Sequence, residues 1–491
     1  MPPRPTVDPR PQLLTYPDSL GGSLAAIGDL LDGPLDGLFR GVHVLPPFPS
    51  SADRGFAPVT YAEIDPRFGS WADIERLGRR HDVLLDLMIN HISRQSAEFQ
   101  DFVRHGRRSP SADLFITLDK VWPGGEPDPR DVARIFLRKP DAPFSTVRIE
   151  ETGREERVWT SFGTADWSEQ IDLDVTSAAT QVLITGWLES FAARGVRIVR
   201  LDAVGYVVKK PGTSCFMVEP DVYAFLDWIS DVAGALGLVI LPEVHDVYPT
   251  HRRLSAHGFW TYDFVLPGLL LHTFLTGRPT RLAEHLAGSP ARQFTTLDCH
   301  DGIPVRPDLD GVLDADEMRA LAGQVTNGGG NVNRILSAAH AGEVDIHQLN
   351  ATYYSAVDGD DERYVAARAI QLFARGVPQV YYVGLLAGAN DLAAVERTGE
   401  GRAINRHDYA RPEVEAALAR PVVRRVIELI RLRNTHPAFD GSLRVEAPGE
   451  RAIALRWTNG EHEIALDVDF GAGRASLAEV GVERQIAAWR P

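Results

Sequence analysis

The sequence of 491 residues contains very little cysteine, since only Cys215 and Cys299 occur. Two cysteines cannot build a disulfide framework or a cysteine-based metal cluster. Positive charge is also scarce: 51 lysine and arginine residues stand against 67 aspartate and glutamate residues, which leaves a formal net charge of −16. Such an acidic surface disfavours nonspecific binding to nucleic acid or to an anionic membrane, because both need clustered positive charge.

Long hydrophobic runs are missing as well. The longest ones, such as Val265–Leu271, are far shorter than the roughly 20 apolar residues that span a bilayer. The N-terminus from Met1 to Pro11 is rich in proline and has no apolar stretch, so we expect no secretory signal peptide. With 44% hydrophobic and 24% charged residues, the composition is that of a globular protein. We therefore expect a cytoplasmic protein with no nucleic-acid or membrane partner.

Short apolar runs that end in polar residues recur along the chain, with helix-patterned stretches between several of them. The runs are Gly41–Leu45, Val83–Asp86, Val196–Asp202, Leu238–His245, Phe294–Asp301 and Val377–Val383, and the helical stretches are Trp71–His81, Ala179–Arg194, Val222–Leu236 and Tyr364–Phe373. Buried strands that alternate with helices predict an α/β fold with a parallel sheet. Periodicity alone does not separate a (β/α)8 TIM barrel from an open doubly wound sheet. No GxGxxG follows the first strand, however, which weakens the dinucleotide-binding form of the open sheet.

Two segments interrupt this alternation, and the C-terminal part of the chain follows another pattern. The stretch from about Ser93 to Asp174 has too many prolines, glycines and charges for one loop, and a second interruption runs from about Gly302 to Ser355. After about Ala438 the pattern is that of antiparallel strands without helices. We therefore expect barrel segments at 1–92, 175–301 and 356–437, inserted domains at 93–174 and 302–355, and a C-terminal β domain at 438–491.

Two of the predicted strands end in residues suited to acid–base and nucleophilic chemistry. Arg200 and Asp202 share one face of their strand, and an arginine beside an aspartate keeps the carboxylate ionised, as a nucleophile must be. Glu243 and His245 share a face at the end of the next run, where a glutamate enclosed in a cleft could serve as a general acid. A structural ion pair is the simpler alternative for Arg200 and Asp202.

Two further polar clusters end predicted strands, at Asp298–Asp301 and at Asp86–His91. Each could be a capped strand end, but four such clusters in chain order favour an active site, because a barrel gathers its reactive groups at the carboxyl ends of its strands. Three acids from three strands suit glycosyl transfer with retention: one carboxylate attacks the anomeric carbon, and a second protonates the leaving oxygen. The third carboxylate holds sugar hydroxyls. The first two carboxylates would need to lie about 5–5.5 Å apart.

These clusters resemble the signature regions of a known superfamily. Asp86-Leu-Met-Ile-Asn-His91, Arg200-Leu-Asp202, Glu243 before a histidine, and His300-Asp301 are similar to the four signature regions of the α-amylase superfamily. Further similarity points to its sucrose phosphorylase subgroup, through the strings that begin at Gly41, Arg200, Lys209, Gln170, Gly376 and Ile404. The resemblance runs from about residue 13 to residue 440, and only the C-terminal domain matches loosely.

The resemblance implies a role for each matching residue. Asp202 would be the nucleophile that forms a β-glucosyl-enzyme, Glu243 the general acid/base, and Asp301 the stabiliser of the transition state. The residues implied to line the glucose pocket are Asp53, Phe56, His91, Arg200, His300 and Arg406, with Tyr206 and His245 at its edge. Phosphate would take the glucosyl group and yield α-glucose 1-phosphate. The chemistry needs no metal and no organic cofactor, because a carboxylate and an acid suffice.

Two segments on the acceptor side differ from the usual pattern of this subgroup. Arg138 stands where the sucrose-specific members carry proline, Lys139 where they carry arginine, and His347 where they carry tyrosine, while Gln348 is kept. An arginine and a histidine together suit a phosphate group, since guanidinium binds it through two donors and imidazolium adds another. The pattern is similar to the branch that acts on sucrose 6(F)-phosphate, and Phe162 would belong to the same acceptor site. Alternatively, Arg138 points to solvent and His347 only fills the place of tyrosine.

Several function classes remain open at this point. The same three acids could serve a hydrolase or a transglucosylase, and plain or promiscuous sucrose phosphorolysis or a glucosylglycerate or glucosylglycerol substrate would also fit. A non-catalytic relative would need an anchor or a partner and could lose the acids. Asp308–Glu317 superficially resembles a calcium loop, but Arg306 would occupy its first ligand position, so we expect no metal there. Scattered histidines such as His81, His105 and His285 are expected at the surface, and the protein is expected to be a monomer or a homodimer.

Overall fold

The structure is a computed structural model that describes residues 6–163, 168–337, 340, 342–479 and 482–490. Its strands are β1 Gln12–Thr15, β2 Gly41–Val44, β3 Asp82–Met88, β4 His91–Ser93, β5 Phe144–Arg148, β6 Glu155–Trp159, β7 Gln170–Asp172, β8 Val196–Asp202, β9 Val239–Pro242, β10 Thr261–Asp263, β11 Gln293–Thr295, β12 Ile303–Pro304, β13 Asn331–Arg334, β14 Ile346–Asn350, β15 Val377–Tyr381, β16 Ser442–Gly449, β17 Ala452–Asn459, β18 His462–Asp469, β19 Arg474–Glu479 and β20 Val482–Ala488.

The α-helices lie mainly between successive strands of the parallel sheet and within the insertions. They span Leu24–Leu31, Trp71–Gly78, Ala97–His105, Leu118–Val121, Pro129–Val132, Ala178–Ala193, Asp221–Ala235, Tyr248–Ala256, Leu266–Thr276, Thr280–Gly288, Ala315–Asn327, Tyr353–Ala356, Asp361–Phe373, Tyr382–Leu385, Leu392–Thr398, Arg411–Leu418 and Pro421–Thr435. No helix among the described residues is both long enough and apolar enough to cross a membrane.

Eight strands form the main sheet in the order β10-β11-β15-β1-β2-β3-β8-β9. Read as a cycle, this order follows the chain from β1 to β15 without a reversal. An open doubly wound sheet has a point where the strand order reverses, whereas a (β/α)8 barrel does not. The fold is therefore the TIM barrel, and the doubly wound alternative is excluded.

The chain divides into two compact units. The first comprises Val44–Val244 and Ile335–Asp345, and the second comprises Val7–His43, His245–Arg334 and Ile346–Pro491. In the first unit, β3 pairs with β8 and β8 with β9, all in parallel. In the second, β1 and β11 both pair in parallel with β15, and β10 with β11. These strands are buried along nearly their whole length, which is why they read as continuous apolar runs in the sequence.

The two insertions have small sheets of their own. Between β3 and β8 the pairs β4–β7 and β5–β6 are antiparallel, and they pack on an apolar cluster that includes Phe99, Phe102 and Phe115. Between β11 and β15 the order is β12-β14-β13, again antiparallel where the register is defined. At the C-terminus β16 to β20 form an antiparallel meander. The domain boundaries given above remain a prediction.

Candidate active site

In the first unit, the end of β8 brings one arginine into contact with three carboxylates. Arg200, only 3% exposed, contacts Asp86 through a short hydrogen bond. Its Nη1 lies 3.0 Å from Asp202 Oδ1, and its Nη2 lies 3.3 Å from Glu243 Oε1. The expected common face of Arg200 and Asp202 is confirmed. Because a single guanidinium holds both carboxylates, Asp202 and Glu243 lie close together.

A left-handed residue at the end of β8 adds a second contact to Glu243. Ala203 has a φ of 53°, and its backbone N–H donates to Glu243 Oε2 at 3.0 Å. A left-handed conformation costs free energy in a residue other than glycine, and backbone strain of this kind clusters at functional sites. Both oxygens of Glu243 are thus fixed, one by Arg200 and one by the backbone that follows Asp202.

His91 lies at the start of β4 with its ring buried. Its Nε2 donates to the carbonyl oxygen of Phe56 at 2.9 Å, so the proton of the neutral imidazole is on Nε2. Burial holds the pKa of the His91 imidazole below its ordinary value, although Asp172 and Asp53 oppose part of this effect. The Phe56 ring in turn lies 5.8 Å from the Arg200 guanidinium. Phe56, His91, Arg200, Asp202 and Glu243 are therefore connected to one another within one unit.

A buried lysine that sequence reasoning missed supports this region. Lys209 Nζ lies 2.7 Å from Asp172 Oδ2 and donates to Asn90 Oδ1 at 2.9 Å, and it also contacts the Tyr206 carbonyl. Burial alone would raise the pKa of the Asp172 carboxyl, but the charge of Lys209 and the hydrogen bonds from Ser161 hold it below its ordinary value. The one feature of the sequence that could have drawn attention to Lys209 is its position, seven residues after Asp202. An exposed lysine would have looked the same in the sequence.

Two of the predicted acceptor residues of the first unit lie at an aromatic cluster: Phe162 belongs to it, and Arg138 lies beside it. Phe162 and Tyr206 pack edge to face with ring centres 5.1 Å apart, and Phe136 stacks on Tyr206 at 6.2 Å. The Arg138 guanidinium lies 6.0 Å from the centre of the Phe162 ring. Lys139 is 1% exposed, and its Nζ donates to Thr160 Oγ1 at 2.7 Å. Lys139 thus lies inside the packing of the insertion, and its role in binding an acceptor remains a prediction.

The segment Ile335–Asp345 is tied to the same cluster. Ser337 Oγ accepts from the backbone N–H of Leu137 at 2.7 Å and donates to the carbonyl of Ile135 at 3.2 Å. The His340 ring packs edge to face on Phe136 with ring centres 4.9 Å apart. These contacts hold the three residues that precede Arg138.

In the second unit, Asp301 lies beside two arginines and a histidine. Its Oδ1 is 3.0 Å from Arg402 Nη1 and 4.0 Å from Arg406 Nη2. His300 Nε2 is 3.6 Å from Asp301 Oδ2, and Arg406 Nε donates to the His300 carbonyl at 2.8 Å. The predicted residues His300, Asp301 and Arg406 are brought together. Sequence reasoning missed Arg402, whose only signal was that it lies four residues before Arg406.

Two predicted histidines also meet in the second unit. The His245 ring stacks on Phe264 at 4.1 Å, and its centre lies 5.7 Å from that of His347. Gln348 follows His347 in β14, where it is 1% exposed and opposite Pro304 and Asn333. One expectation was wrong: His285 is buried, because its Nε2 bonds to Asp263 Oδ2 at 2.9 Å.

The chain is similar to known proteins along nearly its whole length. Residues 22–252 match the family described as alpha amylase, catalytic domain. The chain is 50% identical over 468 residues to the sucrose 6(F)-phosphate phosphorylase of Thermoanaerobacterium thermosaccharolyticum, covering 95% of this chain and 96% of that protein. It is 43% identical to the sucrose phosphorylase of Streptococcus mutans, covering 93% of this chain and 95% of that protein. The crystal structure of sucrose 6F-phosphate phosphorylase from Thermoanaerobacter thermosaccharolyticum matches with a TM-score of 0.96 at 47% identity, covering 98% of this chain and 99% of that one.

Proposed function

The chain belongs to the α-amylase family, within the group that includes the sucrose phosphorylases, and on this basis we propose that it phosphorolyses sucrose 6(F)-phosphate. The reaction converts this disaccharide and inorganic phosphate into α-D-glucose 1-phosphate and fructose 6-phosphate. The observation that carries the proposal is the shared contact of Asp202 and Glu243 with the Arg200 guanidinium. It supports two carboxylates close enough for a retaining double displacement.

In the first step, the ionised Asp202 attacks the anomeric carbon of the glucosyl unit. Glu243, as a general acid, donates its proton to the glycosidic oxygen, so that fructose 6-phosphate leaves with both electrons of the broken bond. The positive charge of Arg200, 3.0 Å from Asp202 Oδ1, suits a carboxylate that must attack in its ionised form. The product of this step is a β-glucosyl ester of Asp202.

In the second step, an oxygen of inorganic phosphate attacks the same carbon and displaces Asp202. Glu243, now ionised, acts as the general base for any proton on the incoming phosphate. Two inversions restore the α-configuration, so the product is α-glucose 1-phosphate. We assign Asp301 to the glucose hydroxyls near the oxocarbenium-like transition state, together with Asp53, Phe56, His91, His300 and Arg406.

We assign recognition of the fructosyl 6-phosphate to Arg138 and His347, with Phe162, Gln348 and Lys139 around them. The packing of Arg138 on the Phe162 ring supports this assignment, because it restricts a long and mobile side chain before the ligand arrives. A guanidinium held in this way loses less conformational entropy when it binds a phosphate group.

The test compares initial rates on sucrose 6(F)-phosphate, sucrose and glucosylglycerate, each with and without inorganic phosphate. The proposal expects rapid, phosphate-dependent release of glucose 1-phosphate from sucrose 6(F)-phosphate. Equal or better turnover of sucrose would favour a plain sucrose phosphorylase, the second candidate, which the 43% identity to the Streptococcus mutans enzyme supports. Release of glucose without phosphate would identify a hydrolase.

A further inference from the structure

Asp308 is a fully buried carboxylate to which the proposed function gives no role. It follows β12 and has no measurable exposure. Its Oδ2 accepts from His245 Nδ1 at 3.1 Å, and its Oδ1 lies 3.7 Å from His251 Nε2. Burial alone would raise the pKa of the Asp308 carboxyl, but the charge and hydrogen bond of His245, with a smaller share from His251, hold it below its ordinary value. The group is therefore an ionised acceptor that faces two imidazoles.

This contact decides which nitrogen of a neutral His245 ring carries the hydrogen. Because an ionised carboxylate can only accept, Nδ1 of His245 must carry a hydrogen. In the neutral ring Nε2 is then the acceptor that a ketose hydroxyl can bind. The ring plane is fixed as well, since the His245 and Phe264 rings stack at 4.1 Å with only 13° between their planes. Asp308 and Phe264 together leave His245 a single orientation.

The same short stretch of chain also orients His347. The His347 Nδ1 donates to the carbonyl oxygen of Arg306 at 2.6 Å, so this ring too has its hydrogen on Nδ1. The backbone N–H groups of Val305 and Arg306 donate to the His347 carbonyl at 2.9 and 3.2 Å. Two acceptors only two residues apart, the Arg306 carbonyl and the Asp308 carboxylate, thus hold two imidazoles whose centres are 5.7 Å apart.

We propose that Asp308 is a positioning residue of the acceptor site: it fixes the tautomer and orientation of His245, beside His347, for binding of the departing and returning ketose. This inference rests on the proposed function, which places His245 at the edge of the glucose pocket and His347 on the acceptor. Asp308 itself touches no substrate. A purely structural ion pair with His251 is the competing explanation, and it would stabilise the fold without any preference for acceptor binding.

The experiment separates acceptor binding from the donor half-reaction. Synthesis from α-glucose 1-phosphate and a ketose acceptor reports on the acceptor site, whereas hydrolysis of α-glucose 1-phosphate without an acceptor does not. In Asp308→Asn we expect the KM for the acceptor to rise about tenfold, the effect of weakening one hydrogen bond to a charged group, and the hydrolysis rate to stay within about twofold. Asp308→Leu, which removes both acceptor oxygens and keeps the branched shape of the side chain, should have the larger effect.

A double-mutant cycle shows whether Asp308 acts through His245. In the His245→Ala background the Asp308→Asn change should leave the acceptor KM unaltered, because the group that it orients is gone. The matched control is Asp310→Asn, which removes a negative charge two residues after Asp308. The Asp310 carboxylate pairs with Arg306 Nε at 2.8 Å. We expect the acceptor KM of this variant to stay within about twofold of the wild type.

Two results would overturn the proposal: equal losses in synthesis and in donor hydrolysis, or the same loss from Asp308→Asn with and without His245. The wild-type chain is first assayed with fructose and with fructose 6-phosphate, and the cycle is run with the better acceptor. A preference for fructose would contradict the proposed phosphorylated substrate and still allow the cycle to decide the role of Asp308. If neither ketose is an acceptor, both proposals fail, and this outcome differs from a failed cycle.

Discussion

Arg402 Nη1 lies 3.0 Å from Asp301 Oδ1, so the carboxylate assigned to the transition state is already paired with a cation. We expect Arg402→Ala to lower kcat/KM for phosphorolysis about tenfold, since Asp301 would lose the nearer of the two arginines beside it. The Arg402 side chain is 26% exposed, so the free energy of unfolding should fall by less than about 1 kcal/mol. Steady-state kinetics and urea denaturation measure the two effects. Arg411→Ala, which breaks an exposed pair with Glu415, is the control, and unchanged kinetics in Arg402→Ala would refute the expectation.

The roles of Asp202 and Glu243 can be separated with a substrate that needs no acid. With α-glucosyl fluoride, whose leaving group requires no proton, we expect Glu243→Gln to accumulate a covalent glucosyl-enzyme that intact-mass spectrometry detects. Asp202→Asn should show no such adduct and should lose at least about 10³-fold in kcat. Asp231→Asn, an exposed change on the helix Asp221–Ala235, should behave as wild type. A glucosyl adduct in Asp202→Asn would contradict the assigned nucleophile.

Arg138 carries the expected preference for a phosphorylated substrate. Arg138→Ala should lower kcat/KM on sucrose 6(F)-phosphate by about 10- to 100-fold, the effect of losing a hydrogen bond between charged groups, and change sucrose turnover far less. Initial rates on both substrates give the ratio directly. Arg134→Ala is the matched control, because Arg134 is exposed four residues earlier and donates to the Gly212 carbonyl at 3.0 Å. Equal losses on the two substrates would remove the phosphate assignment.

The buried ion pair between Lys209 and Asp172 should contribute to the stability of the fold. Lys209→Met leaves the buried Asp172 without its cation, and we expect the free energy of unfolding to fall by about 3–5 kcal/mol. The neighbouring Lys210 pairs with Asp221 at 2.9 Å and is half exposed, so Lys210→Met should cost less than about 1 kcal/mol. Urea titrations followed by circular dichroism compare the two variants. The additional change Asp172→Asn should recover part of the loss, and equal costs for both lysines would contradict this reading.

The buried His91 should make the free energy of unfolding depend on pH. Its folded-state pKa is lowered by burial, so the unfolded chain takes up the proton first as the pH falls. The stability that a neutral His91 provides is therefore complete above about pH 6.5, the ordinary value for histidine, and is lost as the pH falls toward the folded-state pKa. In His91→Gln the decline in unfolding free energy between about pH 7 and pH 5 should be shallower than in wild type. His462→Gln, an exposed control, should follow the wild-type slope.

The sequence patterns predicted the fold where strands are long and buried on both faces. The run Val196–Asp202 is a strand in the structure with the same bounds, and Val83–Asp86 lies within β3. The strands β1 and β10 were not among the predicted runs. Within the C-terminal domain, β20 is largely exposed, so no alternation of buried and exposed residues marks it in the sequence.

The contacts of the candidate site were predicted best where both residues lie on the same strand. Arg200 and Asp202 alternate on one strand, so their contact follows from strand geometry alone. Contacts between distant segments, such as Lys209 with Asp172, Arg402 with Asp301, or Asp308 with His245, depend on tertiary packing that no local pattern records. His285 illustrates the same point in reverse, because its aspartate partner is 22 residues away in sequence and turns an apparent surface residue into a buried one.

The hydroxyl of Ser337 has a consequence for engineering. It joins Ser337 to the backbone of Ile135 and Leu137, so the residues just before Arg138 are hydrogen-bonded to a segment much later in the chain. A chimera that takes either segment alone from a relative keeps this bridge only if a hydroxyl stands at position 337. Acceptor preference is therefore best transplanted as two segments together, although about 200 residues separate them along the chain.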